Sequence, residues 1–221
     1  MLYTLAAVRD NLRNRDGKRV FYLGKNDQLT SEARDFLNRE RISILPAEAA
    51  RPQRYRLLGG GFMEEKPEHM THLHGDVLVE KTHPRIAFRG AVDLLEAELL
   101  LGMQQMPQWS QALEEALTLV RQLLRCEVLE EPVPQTLLCG MDEQQLRSHS
   151  HRPQDYYGQP HFMPEVADGP VVLQLNRLRS LARWTELKAV AALPERTDIL
   201  RALNRLSSLL YILMLRQKSG N

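Results

Sequence analysis

The hydrophobic positions of this chain change period once along its length. In the first 45 residues they cluster in short runs. Segments 19–23 (Arg-Val-Phe-Tyr-Leu) and 42–45 (Ile-Ser-Ile-Leu) read as strands. Between them, Thr30-Ser31-Glu32-Ala33 offers a capping hydroxyl and then an acidic first turn, which predicts a helix running to about Arg41. A strand–helix–strand unit of this size is too small to hold a core alone, so it is expected to dock on something. From Arg85 onward the period is helical. Ile86, Val92, Leu95 and Leu99 predict the buried stripe of a first long helix. Pro107 ends the break after it, and a second helix follows over 109–128, closed by Glu130-Glu131-Pro132. A short helix is expected over 142–148, and long ones over 171–192 and 198–216, separated by Leu193-Pro194. The predicted fold is mainly α, a helical bundle with a small N-terminal α/β appendage. The divisions read as appendage over 1–50, linker over 51–68 and bundle over 69–221. The linker reading rests on Pro46, Pro52, Pro67, the Gly59-Gly60-Gly61 triplet and a basic patch from Arg51 to Arg56.

Composition narrows the function classes. A chain of 221 residues with 43% hydrophobic and 26% charged residues is long enough for one sizeable core. The net charge of +1 provides no global field for nucleic acid or anionic membrane, so any anion site must be local. Aromatic content of 6%, without interleaved basic residues, gives no stacking surface for single strands. The densest apolar run, 206–215, contains two serines and falls far short of the ~20 residues that span a bilayer. The N-terminus shows no basic region followed by an apolar stretch, so no signal peptide is expected. Two lone cysteines, Cys126 and Cys139, suggest a reducing cytoplasm rather than a disulfide framework.

Candidate chemistry lies on the last two long helices. Asn176, Arg179, Arg183 and Glu186 fall at i, i+3, i+7 and i+10 and share one row. That row reads either as a solvated face with an Arg–Glu pair or as guanidiniums for phosphate oxygens, which their planar fork suits. On the next helix Leu203, Leu206, Leu210 and Leu213 form the core stripe, and Asn204, Ser208 and Tyr211 a second row. That second row is either helix–helix hydrogen bonding or, at Asn204, a ligand contact. The histidines form two groups, His69, His72, His74 and His83, and His149, His151 and His161. The first group offers imidazoles for a metal but no cysteine pair or Glu-x-x-His pattern. Segment 70–76 alternatively reads as a phosphate-facing loop, with Lys81 downstream but no Walker pattern.

Several segments together resemble a known family. They are Thr71-His72-Leu73, Lys81, Pro84-Arg85, Arg89-Gly90-Ala91-Val92-Asp93, His161-Phe162-Met163-Pro164-Glu165, Leu178-Arg179 and the run 198–208, with Leu203-Asn204-Arg205-Leu206-Ser207 at its end. In this order they resemble the ethanolamine-utilisation type of corrinoid (cobalamin) adenosyltransferase. The helical part is also similar to the wider propanediol type, where an Arg-x3-Arg-x2-Glu helix and a Leu-Asn-Arg-Leu-Ser helix recur. The resemblance covers nearly the whole chain. It implies an enzyme, a transferase that moves the adenosyl group of ATP onto the cobalt of reduced cobalamin and releases triphosphate. Magnesium would accompany ATP. It implies a homo-oligomer, a trimer with sites between subunits, located in the cytoplasm or inside a bacterial microcompartment beside its enzymes, with no nucleic acid and no membrane as partner.

Carried over residue by residue, the resemblance makes Arg179, Arg183 and Asp93 catalytic, with Glu186 orienting Arg183 and Asp93 pairing with Arg179 across a subunit boundary. Thr71, Lys81, Arg85, Glu186 and Asn204 would bind ATP. Phe162, or His161 in the alternative register, would exclude the lower axial ligand of the corrinoid. Three positions depart from the family pattern. The ethanolamine type carries a His and a Cys-Cys-x-x-Cys group linked to a divalent metal, whereas 51–69 contains no cysteine. The expectation is therefore no transition metal, with a histidine-only site from His69, His72, His74 or His83 as the rival. Trp184 stands at the place of a second arginine, and Glu165-Val166 replaces a Gly-Gly pair. A corrinoid carrier and a microcompartment interaction protein are the non-enzymatic alternatives.

Overall fold

The computed structural model describes residues 1–15, 17–50 and 55–220. Its internal contacts divide the chain into two units, Met1–His83 and Pro84–Asn221.

The first unit is built on a mixed sheet. Strand β1 (Leu2–Tyr3) leads into helix α1 (Leu5–Asp10), then β2 (Arg13–Arg15), β3 (Lys18–Leu23), β4 (Gln28–Leu29), α2 (Ser31–Arg39) and β5 (Ser43–Pro46). The strands β6 (Tyr55–Leu57), β7 (Phe62–Met63), β8 (Met70–His74) and β9 (Val77–Glu80) complete it. Seven of these strands run in the order β5-β3-β2-β7-β6-β9-β8, and β1 pairs with β4 separately. The expected strand–helix–strand unit is present, with β3 and β5 parallel and Thr30 accepting the Ala33 N–H at 3.3 Å. Val8, Leu12, Phe21, Phe36, Leu37 and Ile42 close a core over it.

The stretch expected as a linker behaves differently where it is described. Its segments 55–57 and 62–63 are sheet strands, and the hairpin β8–β9 belongs to this first unit rather than to the bundle. The glycine triplet makes a turn. Gly61 has a φ of +91°, and a side chain there would meet the Leu12 carbonyl at 2.9 Å. Short strands of two or three residues give no readable alternation, which is why periodicity missed them. Pro52 and most of the Arg51–Arg56 patch lie outside the described residues. Arg56 itself forms a forked pair with Asp76 at 2.8–3.1 Å.

The second unit is helical. It contains α3 (Pro84–Gln105), α4 (Ser110–Leu129), α5 (Glu143–His151), α6 (Pro153–Tyr157), α7 (Gly169–Ala192) and α8 (Thr197–Ser219). Helix α3 packs on α4 and α7, α7 packs on α8, and α5 and α6 pack on α8 as well. The expected stripe of α3 is buried at Val92, Leu95 and Leu99. Phe88 is buried as well, while Ile86 stays half-exposed. Asp142 caps α5 in a reciprocal capping box with Gln145. Glu130, in the left-handed conformation, stops α4. Among the described residues no helix is long and apolar enough to cross a membrane.

Two charge clusters fasten the bundle, one around a buried carboxylate and one partly exposed. Glu127 on α4 is fully buried and accepts from Arg85 and Arg89 on α3, the latter at 2.8 Å. Arg85 also donates to the Glu127 carbonyl at 3.0 Å. Arg196 grips Asp198 through two nitrogens at 2.9–3.0 Å and donates to the Glu131 carbonyl at 2.7 Å. The Val133 N–H donates to the same carboxylate.

Removing Glu127 leaves two inward guanidiniums without their shared carboxylate. Glu127→Ala is expected to cost about 3–5 kcal/mol, read by denaturant unfolding. Arg196 holds the Asp198 carboxyl well below the usual carboxylate range. A depressed pKa contributes stability above the unfolded value near 3.9, and that contribution is lost as pH falls toward the folded value. The stability gap between wild type and Asp198→Asn should therefore be widest near neutral pH and narrow as pH falls from about 4 to 2, measured by thermal unfolding.

Candidate active site

One cavity of about 260 Å³ gathers residues from four segments of the helical unit. Helix α5 contributes Ser150 and His151, and the loop before α7 contributes His161 and Phe162. Arg179 and Arg183 come from α7, and Asn204, Ser207, Ser208 and Tyr211 from α8. The row on α7 and the second row on α8 therefore face one space, because α7 and α8 pack along each other. Of the residues expected to act, the cavity brings together Arg179, Arg183, Asn204, His161 and Phe162.

The electrostatics of this space are one-sided. Burial and the neighbouring Arg183 charge lower the pKa of Arg179. Its guanidinium stacks over the Tyr211 ring, 5.5 Å from the centroid. Among the described residues no carboxylate lies within ion-pair distance of Arg179 or Arg183. A half-buried cation beside a second cation, without a counter-charge, is a site that an anion stabilises.

Asn204 is held from both sides. Its Nδ2 donates to Glu186 at 3.1 Å, and its Oδ1 accepts from Arg205 at 2.8 Å. Glu186 thus orients Asn204 rather than Arg183. Burial is also the main cause of a lowered pKa at Arg205. Ser207 and Ser208 spend their hydroxyls on the Asn204 carbonyl.

The loop carrying Phe162 is fastened to α8. The Phe162 N–H donates to the Tyr211 oxygen at 3.2 Å, and His161 Nδ1 lies 3.2 Å from the same oxygen. His161 Nε2 lies 3.1 Å from the His151 carbonyl, an acceptor only, so Nε2 carries the proton. In the neutral ring Nδ1 then accepts from the Tyr211 hydroxyl. Phe162 packs against the bundle core, with the Lys218 ammonium 4.5 Å from its ring centre.

Other expected site residues are placed elsewhere. Arg85 is engaged by Glu127. Asp93 is exposed on α3. Thr71 lies on β8, a strand rather than a loop, and Lys81 follows β9 with Glu68 at 3.9 Å, both in the first unit. His72 is bonded to the Gly75 carbonyl at 3.0 Å and packs edge-on to Tyr55. Among the described residues no three His, Cys, Asp or Glu side chains converge as a metal site. Trp184 is 48% exposed, with Lys188 over its ring at 4.2 Å. The thiols are chemically quiet. Burial raises the Cys126 pKa, and burial and Glu115 push that of Cys139 up to about 11.

Sequence reasoning missed Ser150 and His151 as cavity residues. The His149-x-His151 spacing gave no sign of which ring faces inward, since the orientation of α5 is set by its packing on α8.

Residues 62–217 match the family model described as cobalamin adenosyltransferase. The chain is 33% identical over 158 residues to the corrinoid adenosyltransferase EutT of Salmonella typhimurium. It is 32% identical over 158 residues to that of Escherichia coli K12. Each alignment covers 68% of this chain and 59% of the relative, so the chain spans under two thirds of the length of the curated relatives it matches. The family match takes in the whole helical cavity, from its loop to its two arginines and Asn204, and on that ground the chain belongs to the cobalamin adenosyltransferase family.

Proposed function

We propose that the chain transfers the adenosyl group of ATP to a reduced corrinoid. The observation that carries this reading is the pair Arg179 and Arg183, two cations that among the described residues have no carboxylate at ion-pair distance, in a cavity also lined by Asn204 and Phe162. In the reaction the electron pair of Co(I) attacks the 5′ carbon of ATP. The Co–C bond forms, the 5′ C–O bond breaks, and the triphosphate leaves with that bond's electrons. No proton moves, so no general base is required. The need is for orientation and for neutralisation of a highly charged leaving group. Arg179 and Arg183 supply the charge, Asn204 the fixed amide, and Phe162 an apolar face against the lower side of the corrin ring. Magnesium offsets part of the triphosphate charge.

Asp93, exposed on α3, reaches Arg179 of a neighbouring copy in a trimer. In this reading the protein serves ethanolamine utilisation in the cytoplasm, with a microcompartment as its destination. Arg85 is left out of the ATP contacts, because Glu127 already holds it.

The test is turnover with MgATP and chemically reduced cobalamin, followed by the visible spectrum of the adenosylated product. Arg179→Ala and Arg183→Ala should each lower turnover roughly ten- to a hundred-fold, the loss of a charge-assisted contact of about 1.5–3 kcal/mol. Unfolding midpoints should barely move. Unchanged kinetics in both variants would return the row to a solvated face. Active protein purified without a histidine tag is expected to hold no stoichiometric transition metal by elemental analysis. Metal at one equivalent, with activity lost on its removal and restored on its return, would overturn that expectation.

A further inference from the structure

The loop over 158–168 has little packing of its own. Met163 and Val166 are each 87% exposed, and Phe162 carries the loop's apolar contact with the bundle core. A series of polar ties to the C-terminal half of α8 holds the rest of its course. Gln159 donates to the Ser219 hydroxyl at 2.9 Å, and Lys218 pairs with Asp168. Between these outer ties His161 and Phe162 are held by hydrogen bonds around the Tyr211 hydroxyl and by the His161–His151 bond.

Tyr211 is 9% exposed and sits on a helix buried along most of its length, so its oxygen is a rigid reference point. The geometry makes full use of that oxygen. It accepts from the Phe162 N–H and donates to His161 Nδ1. The flat of its ring meanwhile supports Arg179 at 5.5 Å and stacks with His161 and Phe162 at 5.8 and 5.9 Å. One side chain therefore touches the loop with its hydroxyl and the guanidinium with its π face.

We propose that Tyr211 is a positioning residue that sets the place of Phe162 through its hydroxyl and the place of Arg179 through its ring, so that the two functions of one side chain are separable. This deepens the adenosyl-transfer reading and rests on it for its kinetic part. The hydroxyl serves the corrinoid side, because it governs the backbone of the residue that presents the apolar face. The ring serves the triphosphate side, because Arg179 rests on it. Gln159 and Asp168 keep the outer ties when the hydroxyl is removed, so only the middle of the loop is released.

Tyr211→Phe and Tyr211→Leu separate the two roles. With Tyr211→Phe, amide exchange at His161, Phe162 and Met163 should rise about five- to tenfold, and the KM for reduced cobalamin should rise by a similar factor. The KM for ATP and the unfolding midpoint should stay near wild type. Tyr211→Leu should raise the ATP KM as well. Loop protection retained in Tyr211→Phe overturns the tether. Protection lost while the cobalamin KM stays at the wild-type value overturns its link to the substrate. An ATP KM that rises in Tyr211→Phe as much as in Tyr211→Leu overturns the division of roles. Wild-type protein inert toward both substrates sinks the adenosyl-transfer reading, and amide exchange then decides the tether by itself.

Discussion

A helix buried on nearly every side has no neutral place for a polar group. Helix α8 is such a helix. Ile199, Leu203, Leu206 and the run from Leu209 to Leu215 are all at most 9% exposed. Any amide, hydroxyl or guanidinium on it must find a partner or face a cavity. Asn204 finds Glu186 and Arg205, Ser207 and Ser208 turn back onto the backbone, and Tyr211 takes the loop. The packing of α7 along this helix then puts Asn204, Ser207, Ser208 and Tyr211 on one cavity with Arg179 and Arg183.

The arginines of the bundle show the same constraint from the other side. Arg85 and Arg89 share Glu127, and Arg196 has Asp198. Each half-buried guanidinium at these fastening points meets a carboxylate, as the cost of desolvation demands. Arg179 breaks the pattern. It is half-buried, it lies beside another cation, and it rests on an aromatic face instead of an anion. A folded chain tolerates such a group where a ligand completes the charge balance. Arg196, at the start of α8, has its charge balanced inside the fold, whereas Arg179 on α7 among the described residues does not.

Much of this was legible in the residues. The 3.6-residue stripes gave the long helices nearly to their ends, and Thr30 marked a helix start through its capping chemistry. The Arg179–Arg183 and Asn204–Tyr211 rows were visible as rows, but spacing alone could not show that they face each other, since helix rotation is set by tertiary packing. The strands over 55–57 and 62–63 were hidden because proline and glycine dominate their surroundings and two or three residues carry no period. Arg85 shows a contact that likeness does not reveal. A motif matched its position, but its partner, Glu127, lies 42 residues away in sequence and no local pattern announces it.

The state of the two thiols has a practical side. Cys126 is buried with a raised pKa, and Cys139 is held up to about 11 beside Glu115, so neither offers much thiolate near neutral pH. A maleimide probe would therefore find little to attack in the native chain. A cysteine introduced at the exposed Met163, on the loop beside the cavity, would react well ahead of both. A fluorophore or spin label placed there would report on that loop.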